Sequence, residues 1–434
     1  MTALLAEEPI VAMGEPGSDR GSVETRPAAA RLAPAVRRIA LTDFRNYARL
    51  RLEVDARPVV LTGPNGAGKT NLLEALSFLA PGRGLRRARL GQLVRGATQP
   101  ADRAGADESD AGAWAVAAHV ETPDGPVDIG TAREVARGAD PAEEAERRVV
   151  KIDGKPAKGQ GDLARYLSVS WLTPEMDRLF LEASAGRRRF IDRLVYGFVP
   201  DHASRVSAYE RAMRERSRLL RAGGADPSWL TALEQQMAEA AVAIAAARLD
   251  LVARLNQAGD AGATEPRGDG AFPRPEATMA GAVEDWLGDG PALAAEDRFR
   301  ETLAQSRRRD AETGGAAEGP HRSDLLVVHA ASGAPAAQCS TGEQKALLIA
   351  LVLAAARLRA LEHGAAPILL LDEVVAHLDE SRRAALFDAL VALGAQAWLT
   401  GTDRALFAAL DERAQFLDVA DGAVRPAVSA SDRP

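Results

Sequence analysis

An α/β fold is the reading the sequence supports, and three stretches carry it. The first is Val59 to Leu61, a short apolar run. Gly63-Pro64-Asn65-Gly66-Ala67-Gly68-Lys69-Thr70 follows it, and then comes helical spacing with Leu72, Leu73, Leu76 and Leu79 on one side. The second is Ile368-Leu369-Leu370-Leu371, an apolar run ending in Asp372-Glu373. The third is the Ala/Leu/Arg-rich tract between them, largely helical in period from Met176 to Arg309. Together they predict a mixed head built from both ends of the chain, with a helical arm inserted.

The first stretch is strand, glycine loop and helix in that order, the context of a phosphate-binding loop. Glycines let backbone N–H groups converge on phosphate oxygens without a Cβ in the way. The helix N-terminus beyond favours an anion. Lys69 is the residue type that reaches β- and γ-phosphates, and the Thr70 hydroxyl the type that holds Mg²⁺. The bland alternative, a glycine-rich turn with a chance lysine, leaves the flanking strand and helix unexplained.

The chain has 434 residues, 46% hydrophobic and 26% charged, with net charge −7. This is an ordinary globular composition with ample core. The acidic total excludes a basic nucleic-acid coat, so any DNA contact must come from local patches. A single cysteine, Cys339, excludes an internal disulfide and a cysteine metal cluster. No run is long enough for a membrane span and the start lacks a secretory layout, so the expectation is a cytoplasmic protein.

Four segments are expected: an N-terminal extension over 1–35, a first head half over 36–172, a helical arm over 173–317 and a second head half over 318–434. The extension is Gly/Pro/Ala-rich with little periodicity. Strands are expected from Val36, at Leu50 to Val54 and at Val59, forming a small sheet that leads into the phosphate loop. Arg83, Arg86, Arg87 and Arg89 follow the first helix, either as a solvated turn or as a phosphate-contacting loop. Polar residues 97–112 read as a surface loop. Three strands, Trp114 to Val120, Val127 to Glu134 and Arg148 to Ile152, then read as an antiparallel sheet.

Pro174 after Thr173 opens the helical tract. Helices are expected over Met176 to Tyr196, Ala203 to Arg221 and Pro227 to Asn256, the last about 45 Å long. A loop over Gly259 to Pro275 precedes helices at Glu276 to Gly288 and Leu293 to Arg309. Beyond Gly319 strand character returns at Leu325 to Ala330. A long helix opens at Ser340-Thr341-Gly342-Glu343-Gln344. A helix from Ser381 and strands at Ala397 to Thr402 and Gln415 to Val419 end the fold.

Asp372 at a strand's carboxyl end can bind Mg²⁺, and Glu373 is placed to orient or deprotonate an attacking water. Ser340 with Glu343 three residues on makes a capping box. A capped helix start with glycine and a serine hydroxyl is also an anion site. Its anion is expected to be the γ-phosphate held by a second copy of the chain.

These motifs in this order resemble the ATP-binding cassette head, and the helical insert resembles the SMC group of chromosome and repair ATPases. Within that group the chain is similar to the RecF family of DNA replication and repair proteins. The carrying residues are Leu41-Thr42-Asp43-Phe44-Arg45-Asn46-Tyr47, Gly186-Arg187-Arg188-Arg189-Phe190-Ile191-Asp192 and Gly319-Pro320-His321-Arg322-Ser323-Asp324.

The resemblance implies a weak, DNA-dependent ATPase using ATP and Mg²⁺. It would dimerise head to head on ATP, the Lys69 loop of one copy meeting Ser340 and Gly342 of the other. It would act in the cytoplasm, at the nucleoid, on DNA gaps, junctions and stalled forks with little sequence preference. RecR and RecO would be its partners in loading RecA. Arg45 and Asn46 would lie near the nucleotide and Asp379 at the dimer seam. Arg83, Arg86, Arg87, Arg89 and Arg187 to Arg189 are candidates for DNA phosphates, although Arg187 to Arg189 are equally suited to internal ion pairs. Transporter heads carry a histidine on the strand end after the acidic pair, where this chain has Thr400-Gly401-Thr402-Asp403. A threonine hydroxyl is a partial replacement. Gln92 is a candidate by position for the Mg²⁺ shell.

Three alternatives stay open. A transporter nucleotide-binding subunit shares the head but keeps both motifs in one compact domain, whereas Lys69 and Asp372 here lie about 300 positions apart. A nuclease-partner ATPase needs longer coiled-coil arms and often paired cysteines. An SMC-type nucleotide-gated scaffold without useful hydrolysis is the third.

Overall fold

A computed structural model of the protein describes residues 33–96, 112–136, 145–223, 226–262 and 272–427. Most of the expected N-terminal extension and of the loop over 97–112, and the middle of that over 259–275, lie outside the described residues.

The first half contributes β1 (Ala35–Phe44), β2 (Tyr47–Glu53), β3 (Val59–Thr62) and α1 (Lys69–Ser77). Then follow β4 (Ala115–Thr122), β5 (Gly125–Ala136), β6 (Ala145–Ile152), the two-residue β7 (Lys155–Pro156) and β8 (Val169–Leu172). The middle holds α2 (Ser184–Tyr196), α3 (His202–Ala222), α4 (Pro227–Gly262), β9 (Pro275–Ala280), α5 (Ala282–Asp289) and α6 (Ala292–Thr313). The last part holds β10 (Asp324–His329), β11 (Ala334–Pro335), α7 (Thr341–His363), β12 (Ile368–Leu371), α8 (Glu380–Leu393), β13 (Ala397–Gly401), β14 (Gln415–Ala420) and β15 (Ala423–Pro426).

Two six-stranded sheets make the head. One is antiparallel, in the order β2-β1-β4-β5-β6-β7; the other runs β15-β14-β3-β13-β12-β8 and is parallel from β14 to β8. The strands β3, β12 and β13 are buried along their whole length. Continuous apolar runs such as Ile368 to Leu371 suit a strand covered on both faces. One core cluster joins the two sheets and α1, with Phe44, Phe78 and Trp114 meeting edge to face; another lies among α7, β12 and α8. Gln396 ties the two ends of the chain. Its side chain accepts from Val36 N at 2.9 Å and donates to the Val36 and Asp55 carbonyls at 2.9 and 2.8 Å.

The structure corrects several expectations. β3 does not join β1 and β2; it pairs with β13 and β14 in the other sheet. β8 was not foreseen, yet it pairs in parallel with β12. Residues 275–280 form a strand paired with β10, and the helix starts only at Ala282. Residues 174–178 form a 3₁₀ turn, and α2 begins at Ser184. At 36 residues α4 is longer than expected, about 54 Å at the helical rise.

In the arm, Arg216 of α3 donates to Glu234 of α4 at 2.9 Å, to Asp310 of α6 at 2.9 Å and to the Leu303 carbonyl at 2.7 Å. One buried guanidinium thus fixes the register of three helices. At the arm's root, Arg248 of α4 grips both carboxylate oxygens of Asp192 of α2 at 2.8 Å and donates to Pro320 O at 2.7 Å.

Candidate functional site

The parallel sheet brings the chemistry to one edge. The 63–68 loop follows β3, Asp372-Glu373 follows β12, and Thr402 follows β13. Adjacent parallel strands put these ends side by side, the usual ligand edge of an open α/β sheet.

Pro64, Asn65 and Gly66 are exposed at the loop's tip, while Ala67, Gly68 and Lys69 are buried. Two glycines are dictated by space as well as by positive φ. A Cβ at Gly63 would run into the Val419 carbonyl, and one at Gly68 would meet the Asn46 amide and the Tyr47 hydroxyl. Gly66, with φ 80°, faces open space. α1 starts with Gly68 as its N-cap and no side-chain cap, which leaves its first N–H groups for an anion. Lys69 Nζ folds back onto the Gly63 and Pro64 carbonyls at 2.6 and 2.9 Å. Burial draws its ammonium below the ordinary lysine value, against the pull of Glu373 and Asp372.

Thr70 Oγ1 lies 2.9 and 3.0 Å from the two carboxylate oxygens of Asp372, across 302 positions of sequence. Asp372 is 4% exposed. Burial raises its carboxyl above the usual carboxylate range; the Thr400 and Thr70 bonds pull it down, Glu373 pushes it up and Arg86 pulls it down. Thr400 is turned onto the acidic pair: its hydroxyl donates to Asp372 Oδ1 at 2.8 Å and accepts from Glu373 N at 2.8 Å. Its hydroxyl is thus engaged and is not displayed as a stand-in for the missing histidine. Glu373 itself sits at φ 51°, a conformation uncommon for a residue with a Cβ.

The Phe44 to Tyr47 turn braces the loop from behind. Asn46 donates to Ala67 O at 3.1 Å and Tyr47 to Gly68 O at 3.0 Å. Arg45 is tied to the helix that follows the loop. Its fork closes on fully buried Glu74 of α1 at 2.8 and 2.9 Å, so it secures the helix. Arg86 reaches Asn71 Oδ1 at 2.8 Å and lies 3.5 Å from Glu74, beside the phosphate loop's helix. Gln92 accepts from Arg89 N at 3.0 Å and closes its own 3₁₀ turn instead of turning to the acidic pair.

Ser340 caps α7 with the expected box: Glu343 N donates to Ser340 Oγ at 3.3 Å and Ser340 N to Glu343 Oε2 at 2.9 Å. Ser340 and Thr341 are exposed, Gly342 is half-buried beside Arg382, and Gln344 is buried with its amide on Cys339 O. Asp379 caps α8 by accepting from Arg382 N at 2.8 Å.

Among the candidate DNA contacts, Arg83, Arg86, Arg87 and Arg89 are exposed on one loop. Arg187 and Arg188 are half-buried and bonded within the chain. Arg187 clasps Asp324 at 2.7 and 2.8 Å, and Arg188 donates to Ser184 Oγ and Ser323 O at 2.7 and 2.8 Å. Asp324 takes up the Arg187 guanidinium across the arm–head junction, whereas Arg188 uses Nη1 on Ser184 of its own helix and on the Ser323 carbonyl. Arg189 is exposed.

The RecF/RecN/SMC N terminal domain model matches residues 35–423. The DNA replication and repair protein RecF of Rhizobium meliloti (strain 1021) is 49% identical over 387 residues, 89% of this chain and 97% of that protein. The RecF of Mesorhizobium japonicum is 48% identical over 395 residues, 91% and 98% of the two chains. The chain belongs to the RecF family of DNA replication and repair proteins. A solved structure described as the recombination mediator protein RecF-ATPrS in the RecFOR pathway superposes with a TM-score of 0.74. It covers 92% of this chain and 100% of that one at 20% identity, a likeness of fold. No helix among the described residues is long and apolar enough to cross a membrane.

Proposed function

We propose that this RecF-family chain is a weak ATPase that closes into a homodimer on binding ATP and Mg²⁺. It then engages DNA at gaps, junctions and stalled forks, and acts with RecR and RecO to load RecA. The observation that supports the nucleotide chemistry is the Thr70–Asp372 contact, which brings a hydroxyl and a carboxylate suited to a phosphate and metal site together from opposite ends of the chain. Lys69 would leave its loop carbonyls for the β- and γ-phosphates. Gly63 to Gly68 would offer backbone N–H groups.

The donor set fits Mg²⁺: a hydroxyl and a buried carboxylate, both hard oxygen ligands, with the phosphates and waters to complete the shell. A carboxyl raised by burial is also one that a cation at that spot would favour in its charged form. When bound, Mg²⁺ neutralises charge on the phosphates. Glu373, aimed by its left-handed backbone, would orient the water and take its proton. The Thr400 hydroxyl, engaged with the acidic pair, agrees with slow hydrolysis.

The second copy would supply Ser340 and Gly342 against the γ-phosphate, with Asp379 at the seam. DNA contact falls to the exposed arginines at 83, 87, 89 and 189, while Arg86 lies nearer the phosphate side of α1. ATP turnover with and without gapped DNA tests the reading on wild type, Lys69→Ala and Glu373→Gln. Loss of turnover in both variants is expected. Unchanged turnover in Glu373→Gln would remove Glu373 as the base and favour a nucleotide-gated scaffold.

A further inference from the structure

Among the described residues, the chemistry proposed above leaves a buried lysine without a role. Lys345 lies on α7, just over a turn beyond Ser340, and is 5% exposed. Its ammonium is 3.0 Å from Asp177 Oδ2 and 3.5 Å from the Glu373 carbonyl. Asp177 belongs to the 3₁₀ turn that follows β8, the strand paired with β12. Three segments therefore meet at one ammonium: the helix that starts with Ser340, the turn after β8, and the turn that carries Glu373.

The backbone of Glu373 is held from two sides. Thr400 on β13 takes its N–H at 2.8 Å; Lys345 on α7 and Ala376 N, at 3.2 Å, approach its carbonyl. A left-handed glutamate persists only when its surroundings over-determine it. Removing one of those holds frees the peptide to relax, and the carboxylate's aim changes with it. A buried lysine is also a poor choice for stability alone, since its desolvation rivals what one ion pair returns.

We infer that Lys345 is a positioning residue for hydrolysis, tying the helix that meets a second copy's nucleotide to the turn that aims this copy's Glu373. Seating α7 against the partner and aiming Glu373 then move together, which links the two nucleotide sites of a dimer. This rests on the proposed composite site.

The test uses the full chain as wild type, Lys345→Met, Lys345→Arg, Glu373→Gln and the Lys345→Met/Glu373→Gln double variant. Light scattering with ATP and Mg²⁺, thermal unfolding without nucleotide, and single-turnover hydrolysis are measured. Lys345→Met is expected to keep the melting temperature and the ATP-dependent dimer while hydrolysis falls roughly 10- to 100-fold. Lys345→Arg recovers part of the rate. On the Glu373→Gln background Lys345→Met adds no further loss, because both act through one group. Unchanged hydrolysis, a lower melting temperature, a lost dimer where wild type forms one, or additive losses in the double variant would each overturn the inference. A wild type that stays monomeric with ATP, Mg²⁺ and DNA would instead defeat the composite site, and this inference with it.

Discussion

Thr400→Val is the sharpest perturbation of the site's framework. The residue is 1% exposed, and valine keeps its shape while removing the hydroxyl. Two interactions go with it. Asp372 loses a donor at 2.8 Å, and the Glu373 N–H loses its acceptor at 2.8 Å. A hydrogen bond to a charged group contributes about 1.5–3 kcal/mol, and a buried unsatisfied N–H costs about 1–3 kcal/mol. Some relaxation is expected, so the combined loss is about 2–5 kcal/mol. For a chain of 434 residues that lowers the unfolding midpoint by roughly 2–6 °C. Hydrolysis falls as well, because the valine also releases the Glu373 backbone. Differential scanning calorimetry and phosphate release measure the two effects. A Thr400→Val protein that melts with wild type and turns over ATP at the wild-type rate would refute the reasoning. Thr70→Val is the contrast: Thr70 is only half-buried, so its loss should spare the midpoint and abolish Mg²⁺-dependent nucleotide binding.

Other consequences are equally direct. Lys69→Ala should remove the stabilisation that ATP gives wild type, about 2.7 kcal/mol at a hundredfold excess over Kd, read as the loss of an ATP-induced melting shift. Asp372→Asn should stabilise the nucleotide-free protein at neutral pH while abolishing turnover. A carboxyl raised by burial costs folding stability as pH rises above the unfolded value of 3.8, and asparagine removes that cost; a destabilised, inactive variant would contradict this. His321, which receives the Tyr209 hydroxyl and donates to Ala316 O, is pulled from 6.5 to about 4 by burial. The unfolded chain takes up a proton that the folded one refuses, so about 3 kcal/mol is present above pH 6.5 and lost as pH falls toward 4. His321→Gln should flatten the melting profile across that window. DNA affinity should fall steeply with salt, and Glu substitutions at Arg83, Arg87 and Arg89 should lower both affinity and salt slope. Arg187→Ala should instead destabilise the arm–head junction.

Much of the phosphate site was legible because its signals are local. The glycine spacing, the apolar strand before it and the helical leucines after it lie within one short stretch. Asp372-Glu373 was visible for the same reason. What was not legible depends on distant pairing. Val169-Ser170-Trp171-Leu172 has weak strand character alone, and becomes a strand because β12 offers it an edge. Glu276 to Ala280 has helix-forming residues, but its alternating burial is that of a strand on β10. Arg187 was left between a DNA contact and an internal ion pair because Asp324, its partner, lies 137 positions away. Thr400 to Asp403 were noted as the stretch where a histidine is missing, and only folding shows the Thr400 hydroxyl closing on the acidic pair. Lys345 carried no signal beyond its place after Gln344.

In the proposed dimer, two copies share their nucleotides across Ser340. Mass in solution by light scattering tests it most directly, on wild type and Ser340→Arg, without nucleotide, with ATP and Mg²⁺, and with ADP. A wild-type dimer only with ATP, abolished by Ser340→Arg, is the predicted result. A monomer in every state, even with DNA added, or a dimer in every state and in Ser340→Arg alike, would contradict it.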